Sequence, residues 1–80
     1  MLAGMPQPSL LETQRILALR LKETRKRVGL SQEALADAAE IDRTYVSQLE
    51  RGKVNPSLAV LVRVAIALNS SVRELLNSEQ

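Results

Sequence analysis

Apolar side chains recur along this chain at the three- and four-residue spacing of helix faces, and short polar stretches rich in cap-forming residues divide it into segments. Leu17, Leu21 and Val28 fall on one such stripe. Their segment opens with Ser9 and, three residues on, Glu12, a capping box that satisfies free amide groups of a first turn. It closes at Gly29, which takes the left-handed C-cap conformation without a Cβ clash. The pattern predicts a helix from about Leu10 to Val28. Ser31 is a good N-cap for a second, short helix over about Gln32 to Ala39, with Leu30 and Leu35 placed to form a hydrophobic staple. Leu35, Ala36 and Ala39 point inward in that helix, the alanines being small where another helix must pack closely. After Glu40-Ile41, Asp42 caps a third helix, Arg43 to Arg51, which has Val46 and Leu49 inward and ends at Gly52.

Asn55-Pro56 marks a turn before the apolar run Leu58 to Leu68. In that run Val60, Val62, Val64 and Ile66 alternate as they would in a strand. Its eleven residues, its interspersed alanines and the lack of any hairpin partner favour a helix buried on more than one side. Ser71 with Glu74 is a second capping box, opening a fifth helix with Val72, Leu75 and Leu76 apolar. Met1 to Pro8 contains Gly4, Pro6 and Pro8 without periodicity and reads as a flexible N-terminal tail. The expected organisation is a tail over 1–8 and one compact, all-α, five-helix domain over 9–80, its fourth and fifth helices lying within about 57–77.

Composition narrows the chemistry. Eighty residues suffice for one small core, and with Tyr45 the sole aromatic that core is aliphatic. Without His or Cys there is no imidazole base, no thiolate, no zinc site of the usual kind and no disulfide. The carboxylates are scattered, with no nucleophile or glycine-rich phosphate loop beside them, so neither an enzyme nor a cofactor or metal is expected. No apolar run reaches the roughly 18 residues of a membrane span, and no signal peptide opens the chain, so no membrane role is expected and the cytoplasm is the default compartment. The net charge is only +2, but it is segregated: six bases face two acids from Ser9 to Leu30, and three acids stand without a base from Ser31 to Ile41.

The second and third predicted helices carry Gln32-Glu33-x-Leu35-Ala36-x-x-Ala39-x-Ile41-x-x-x-Tyr45-Val46-Ser47-x-Leu49-Glu50-x-Gly52. This pattern resembles the Cro and phage-repressor type (XRE family) of helix-turn-helix DNA-binding domain, over about Leu17 to Leu76. The resemblance is densest in Arg25-x-x-x-Gly29-Leu30-Ser31-Gln32-Glu33 and Val46-Ser47-Gln48-Leu49-Glu50-Arg51-Gly52. The run Asp42-Arg43-Thr44-Tyr45-Val46-Ser47 also resembles the controller proteins of restriction-modification operons. The resemblance implies a lambda-repressor-like fold with the helix-turn-helix over about 31–52, and a transcriptional regulator that binds double-stranded DNA.

With Val46 and Leu49 inward, Arg43, Thr44, Ser47 and Gln48 fall on the exposed, N-terminal side of the third helix. They supply a bidentate donor for guanine, two hydroxyls and an amide suited to adenine, and are the expected base-reading set. Each alone reads as an ordinary solvated position. Tyr45 either packs against a neighbouring helix or reaches the DNA backbone. Further backbone contacts are expected from Gln32, at a helix N-terminus where free amides favour phosphate, and from Arg51, Lys53, Asn55 and Ser57 in the following loop. The resemblance also implies a structural salt bridge between Arg25 and Glu50. It marks Glu40 as a departure, since the family usually has glycine with positive φ at that turn position. Glu33 and Asp37 lie one turn apart on the outer face of the second helix. Acidic residues at matching positions contact RNA polymerase in some relatives, while solubility and dipole compensation are the favoured reading of the two.

A fourth helix apolar nearly all round cannot hide every side in so small a monomer, so the fourth and fifth helices are expected to form a homodimer interface, unless the fourth is simply the central core helix. A dimer would carry two recognition helices about 34 Å apart, matching a near-palindromic operator. A protein-interaction module on the same scaffold, antitoxin-like or a coactivator, is the alternative.

Overall fold

The computed structural model describes residues 9–77 of the chain, which form five α-helices and, among the described residues, no strand. These are α1 (Leu10–Val28), α2 (Gln32–Ala39), α3 (Arg43–Glu50), α4 (Leu58–Ala67) and α5 (Val72–Leu75). The expected tail over 1–8 lies outside the described residues.

Each helix begins where a short polar side chain satisfies a first-turn amide. The Ser9–Glu12 box is complete: Ser9 Oγ accepts from the Glu12 N–H at 3.1 Å and the Ser9 N–H donates to Glu12 Oε1 at 2.8 Å. Ser31 Oγ accepts from the Ala34 N–H at 3.0 Å, and Asp42 Oδ1 accepts from the Thr44 N–H at 2.9 Å. Ser57 caps α4 by accepting from the Val60 N–H at 3.1 Å, a structural role additional to the backbone contact expected of it. The second box forms only in half. Ser71 Oγ accepts from the Glu74 N–H, while the Glu74 carboxylate accepts from the Ser70 hydroxyl at 3.0 Å. The carboxylate turns to a hydroxyl because Ser70 stands beside it in this tight α4–α5 connection.

The core is aliphatic and draws on every helix: Leu17, Leu21, Leu35, Val46, Leu49, Val64, Leu68 and Leu75 are buried, with Ala36, Ala39 and Ala65 between them. Val28 departs from the helical-spacing expectation, being 46% exposed. At Gly29, with φ 88°, the chain reverses through a turn in which the Gly29 and Leu30 amides return to carbonyls of Arg25 and Lys26. Leu30, just past that cap, packs on the core instead of Val28, the hydrophobic contact usual for such a turn. The third and fourth helices each stop one residue before the sequence-based boundary, at Glu50 and Ala67.

The apolar run after the loop is helical, but only one side of it is buried. Leu61, Val64 and Ala65 face the core, while Leu58, Val62 and Ile66, one turn apart on another side, are 68%, 41% and 72% exposed. The expected burial on more than one side is therefore not supplied by the described residues.

Candidate nucleic-acid interface

The site is built on the α2–turn–α3 unit. Leu35, Ala36 and Ala39 of α2 meet Val46 and Leu49 of α3, and the alanines admit the close approach. The turn depends on Glu40, which sits in the left-handed region at φ 58°, ψ 47°. From there the Ile41 N–H returns to the Ala36 carbonyl at 2.9 Å. A non-glycine residue in that region costs about 1–2 kcal/mol. The surrounding packing sustains it, aided by Arg63 of α4, whose Nε donates to the Ala39 carbonyl at 3.0 Å and so caps the end of α2.

With α3 held by Val46 and Leu49, its other side faces outward. Arg43 and Thr44 are exposed, and Ser47 and Gln48 are half-buried. Among the described residues no side-chain hydrogen bond or ion pair engages any of the four. Tyr45 is half-buried with its ring packed against the core, and its hydroxyl is likewise unengaged. Its ring thus does what one of the two sequence readings proposed, and its polar end stays open to the other.

The loop after α3 alternates strictly. Arg51, Lys53, Asn55 and Ser57 are exposed, whereas Gly52, Val54 and Pro56 are half-buried, with Val54 packed against the core. All four loop residues singled out from the sequence are thus solvent-exposed. Gly52 adopts φ 68° and lies against α1: a Cβ there would stand 3.7 Å from the Gln14 carbonyl oxygen and 3.9 Å from the Ala18 Cβ.

Arg25 and Glu50 form the expected bridge. The guanidinium donates through Nε to Glu50 Oε2, through Nη2 to Oε1 at 3.0 Å, and through Nη1 to the Leu30 carbonyl at 2.9 Å. The two side chains are 10% and 3% exposed. Burial pushes the Glu50 carboxyl up, but hydrogen bonds from Arg25 and Gln32 and the charges of Arg25 and Lys22 outweigh it and hold the group below the ordinary carboxylate range. The Glu50 hydrogen bond in turn raises Arg25. Gln32 is a third member that sequence reasoning did not place in this network: its Nε2 donates to Glu50 Oε1 at 3.1 Å. The bridge therefore also fixes the side chain at the start of α2, where first-turn amides point outward.

Glu33 and Asp37 are both exposed on α2, with no partner among the described residues. Among the described residues no group of His, Cys, Asp and Glu is arranged to hold a metal ion, and no helix is long and apolar enough to cross a membrane.

The sequence matches the helix-turn-helix family HTH_3 over residues 21–75, from the inner half of α1 through α5. The chain belongs to this family. Among its helix-turn-helix relatives is the control protein C.SmaI of Serratia marcescens, 38% identical over 69 residues, spanning 86% of this chain and 82% of that one. Two longer relatives, of which the chain spans 46% and 42%, match over 60 residues each. Among solved structures, the restriction-modification controller protein C.AhdI from Aeromonas hydrophila superposes with a TM-score of 0.75 at 44% identity, over 78% of this chain and 94% of that one. The controller protein C.Esp1396I, solved as a tetramer in complex with its natural 35 base-pair operator, superposes with a TM-score of 0.70 at 28% identity, over 86% of this chain and 99% of that one. The domain is thus a helix-turn-helix of the XRE type found in controller and repressor proteins.

Proposed function

We propose that this protein is a non-catalytic transcriptional regulator that binds a near-palindromic operator as a homodimer, with α3 in the major groove. The observation that carries this reading is the set Arg43, Thr44, Ser47 and Gln48: four side chains with hydrogen-bonding capacity on one side of a helix anchored from behind, none of it spent among the described residues. A helix enters the major groove to read base edges only under those conditions. Gln32, the Tyr45 hydroxyl and the exposed loop positions Arg51, Lys53, Asn55 and Ser57 flank that side and supply phosphate contacts. That C.Esp1396I, with which the chain shares its fold, was solved in complex with its operator supports duplex DNA as the partner here.

The dimer rests on α4. Leu58, Val62 and Ile66 make an exposed apolar edge that a two-fold mate, with α5 alongside, covers. That edge also favours a second reading, a protein-interaction module on the same fold. Glu33 and Asp37 add a proposed RNA polymerase contact beside the operator. Titration of a mixed-sequence duplex at salt rising from about 50 to 200 mM separates the two main readings. DNA binding by phosphate contacts weakens steeply, whereas a lack of duplex binding at the lowest salt removes the regulator reading and leaves the interaction module.

A further inference from the structure

The loop that presents Lys53 and Asn55 follows α3 in sequence but is gripped by α1. Gln14, half-buried in α1, donates from Nε2 to the Val54 carbonyl at 3.0 Å, a contact between residues forty positions apart. One turn on, Ala18 lies against Gly52, and one turn further, the charge of Lys22 acts on Glu50. Gln14 and Ala18, one turn apart on α1, therefore meet the loop at Val54 and Gly52. At Val54 two restraints coincide, its side chain in the core and its carbonyl on Gln14, while the residues on either side are exposed.

We infer that Gln14 is a positioning residue for DNA binding: by holding the Val54 carbonyl it sets which way Lys53 and Asn55 point and keeps both aimed at the phosphate backbone. This inference rests on the reading of the loop as a phosphate-contacting segment. In this role Gln14 acts through the loop, by the amide N–H that it donates to the Val54 carbonyl. A side chain without that donor leaves the carbonyl unpaired, and the loop turns to find water for it. The lysine charge and the asparagine amide then lose their fixed approach, and binding weakens without change in base preference.

The test is a double-mutant cycle read by binding. Gln14→Met keeps length and helix propensity but removes the donor, Gln14→Glu replaces it with an acceptor, and each is combined with Lys53→Ala. The probe is a mixed-sequence duplex of about three helical turns, which allows for two half-sites. The expected result is binding weakened about fivefold in Gln14→Met and more in Gln14→Glu, with the slope of log K against log salt shallower by about one, the share of one phosphate contact. In the Lys53→Ala background the Gln14 substitutions lose most of their effect, which a general loss of stability would not produce. Parent-like affinity and slope in both Gln14 variants, or effects additive with Lys53→Ala, overturn the positioning role alone. A parent protein that does not bind the duplex overturns the loop reading, and the positioning role with it.

Discussion

Replacing Glu50 with alanine strips the Arg25 guanidinium of two of its three hydrogen bonds and leaves the Gln32 amide without its acceptor. The charge cannot readily find water, because the Arg25 side chain is only 10% exposed and Glu50, at 3%, lies deeper still. Breaking one half of a buried pair costs about 3–5 kcal/mol, against about 0–1 kcal/mol for an exposed one. Water still reaches the edge of the guanidinium, so the lower part of the range, about 3 kcal/mol, applies. In a domain of this size each kcal/mol moves the melting temperature by about 4–8 °C, giving a fall of about 12–24 °C. Thermal unfolding followed by circular dichroism measures it. The pair is costly to break yet adds little net stability over an apolar substitute, so the double variant Arg25→Met with Glu50→Leu is expected to recover most of the loss. An unchanged melting temperature in Glu50→Ala would refute the reasoning, since the bridge would then behave as a surface pair.

Acid provides a related test. The Glu50 carboxyl titrates below its unfolded value, so its contribution is full above the ordinary glutamate pKa of about 4.3 and is lost as pH falls through the depressed folded value. Unfolding by urea is therefore expected to show stability dropping more between pH 5 and 3 (approximate bounds) in the parent than in the double variant; equal slopes would contradict this. Glu40→Gly relieves the left-handed strain at φ 58° and is expected to raise the melting temperature, by about 4–8 °C if about 1 kcal/mol is released; a clear drop would show that the side chain sustains the turn. Ile66→Asp places a charge on a side chain that is 72% exposed in the monomer, so sedimentation is expected to show dissociation with the helical spectrum intact; a parent protein monomeric at high micromolar concentration would remove the dimer. Glu33→Lys with Asp37→Lys is expected to change promoter output at full operator occupancy, and unchanged output would dismiss the polymerase contact.

Helix positions were legible from the chain because caps are local: Ser9, Ser31 and Asp42 each bond an amide within three residues, and such pairs are visible as spacing. The outward set on α3 was legible for a similar reason, since Val46 and Leu49 orient the helix and the rest follows from its period. Val28 escaped because periodicity does not know where a helix outruns its core, and the reversal at Gly29 brings Leu30 over the core in its place. The strand-like alternation of α4 was ambiguous because β-branched residues suit either state; the helix puts Val64 inward and leaves Val62 and Ile66 out. Gln14 on Val54 and Gln32 on Glu50 join residues forty and eighteen positions apart, and neither pair carries a spacing signal. The Arg25–Glu50 bridge, which joins residues 25 positions apart, came into view only through the family resemblance.

The central claim is that the unspent side chains of α3 read base edges from a two-fold arrangement. Selection of bound duplexes from a random library at near-physiological salt, with Arg43→Ala and Gln48→Ala run beside the parent, tests it most directly. A two-fold symmetric motif is expected in the parent, degenerating at defined, symmetry-related positions in each variant. Failure to enrich any motif, or a motif unchanged in both variants, would contradict it.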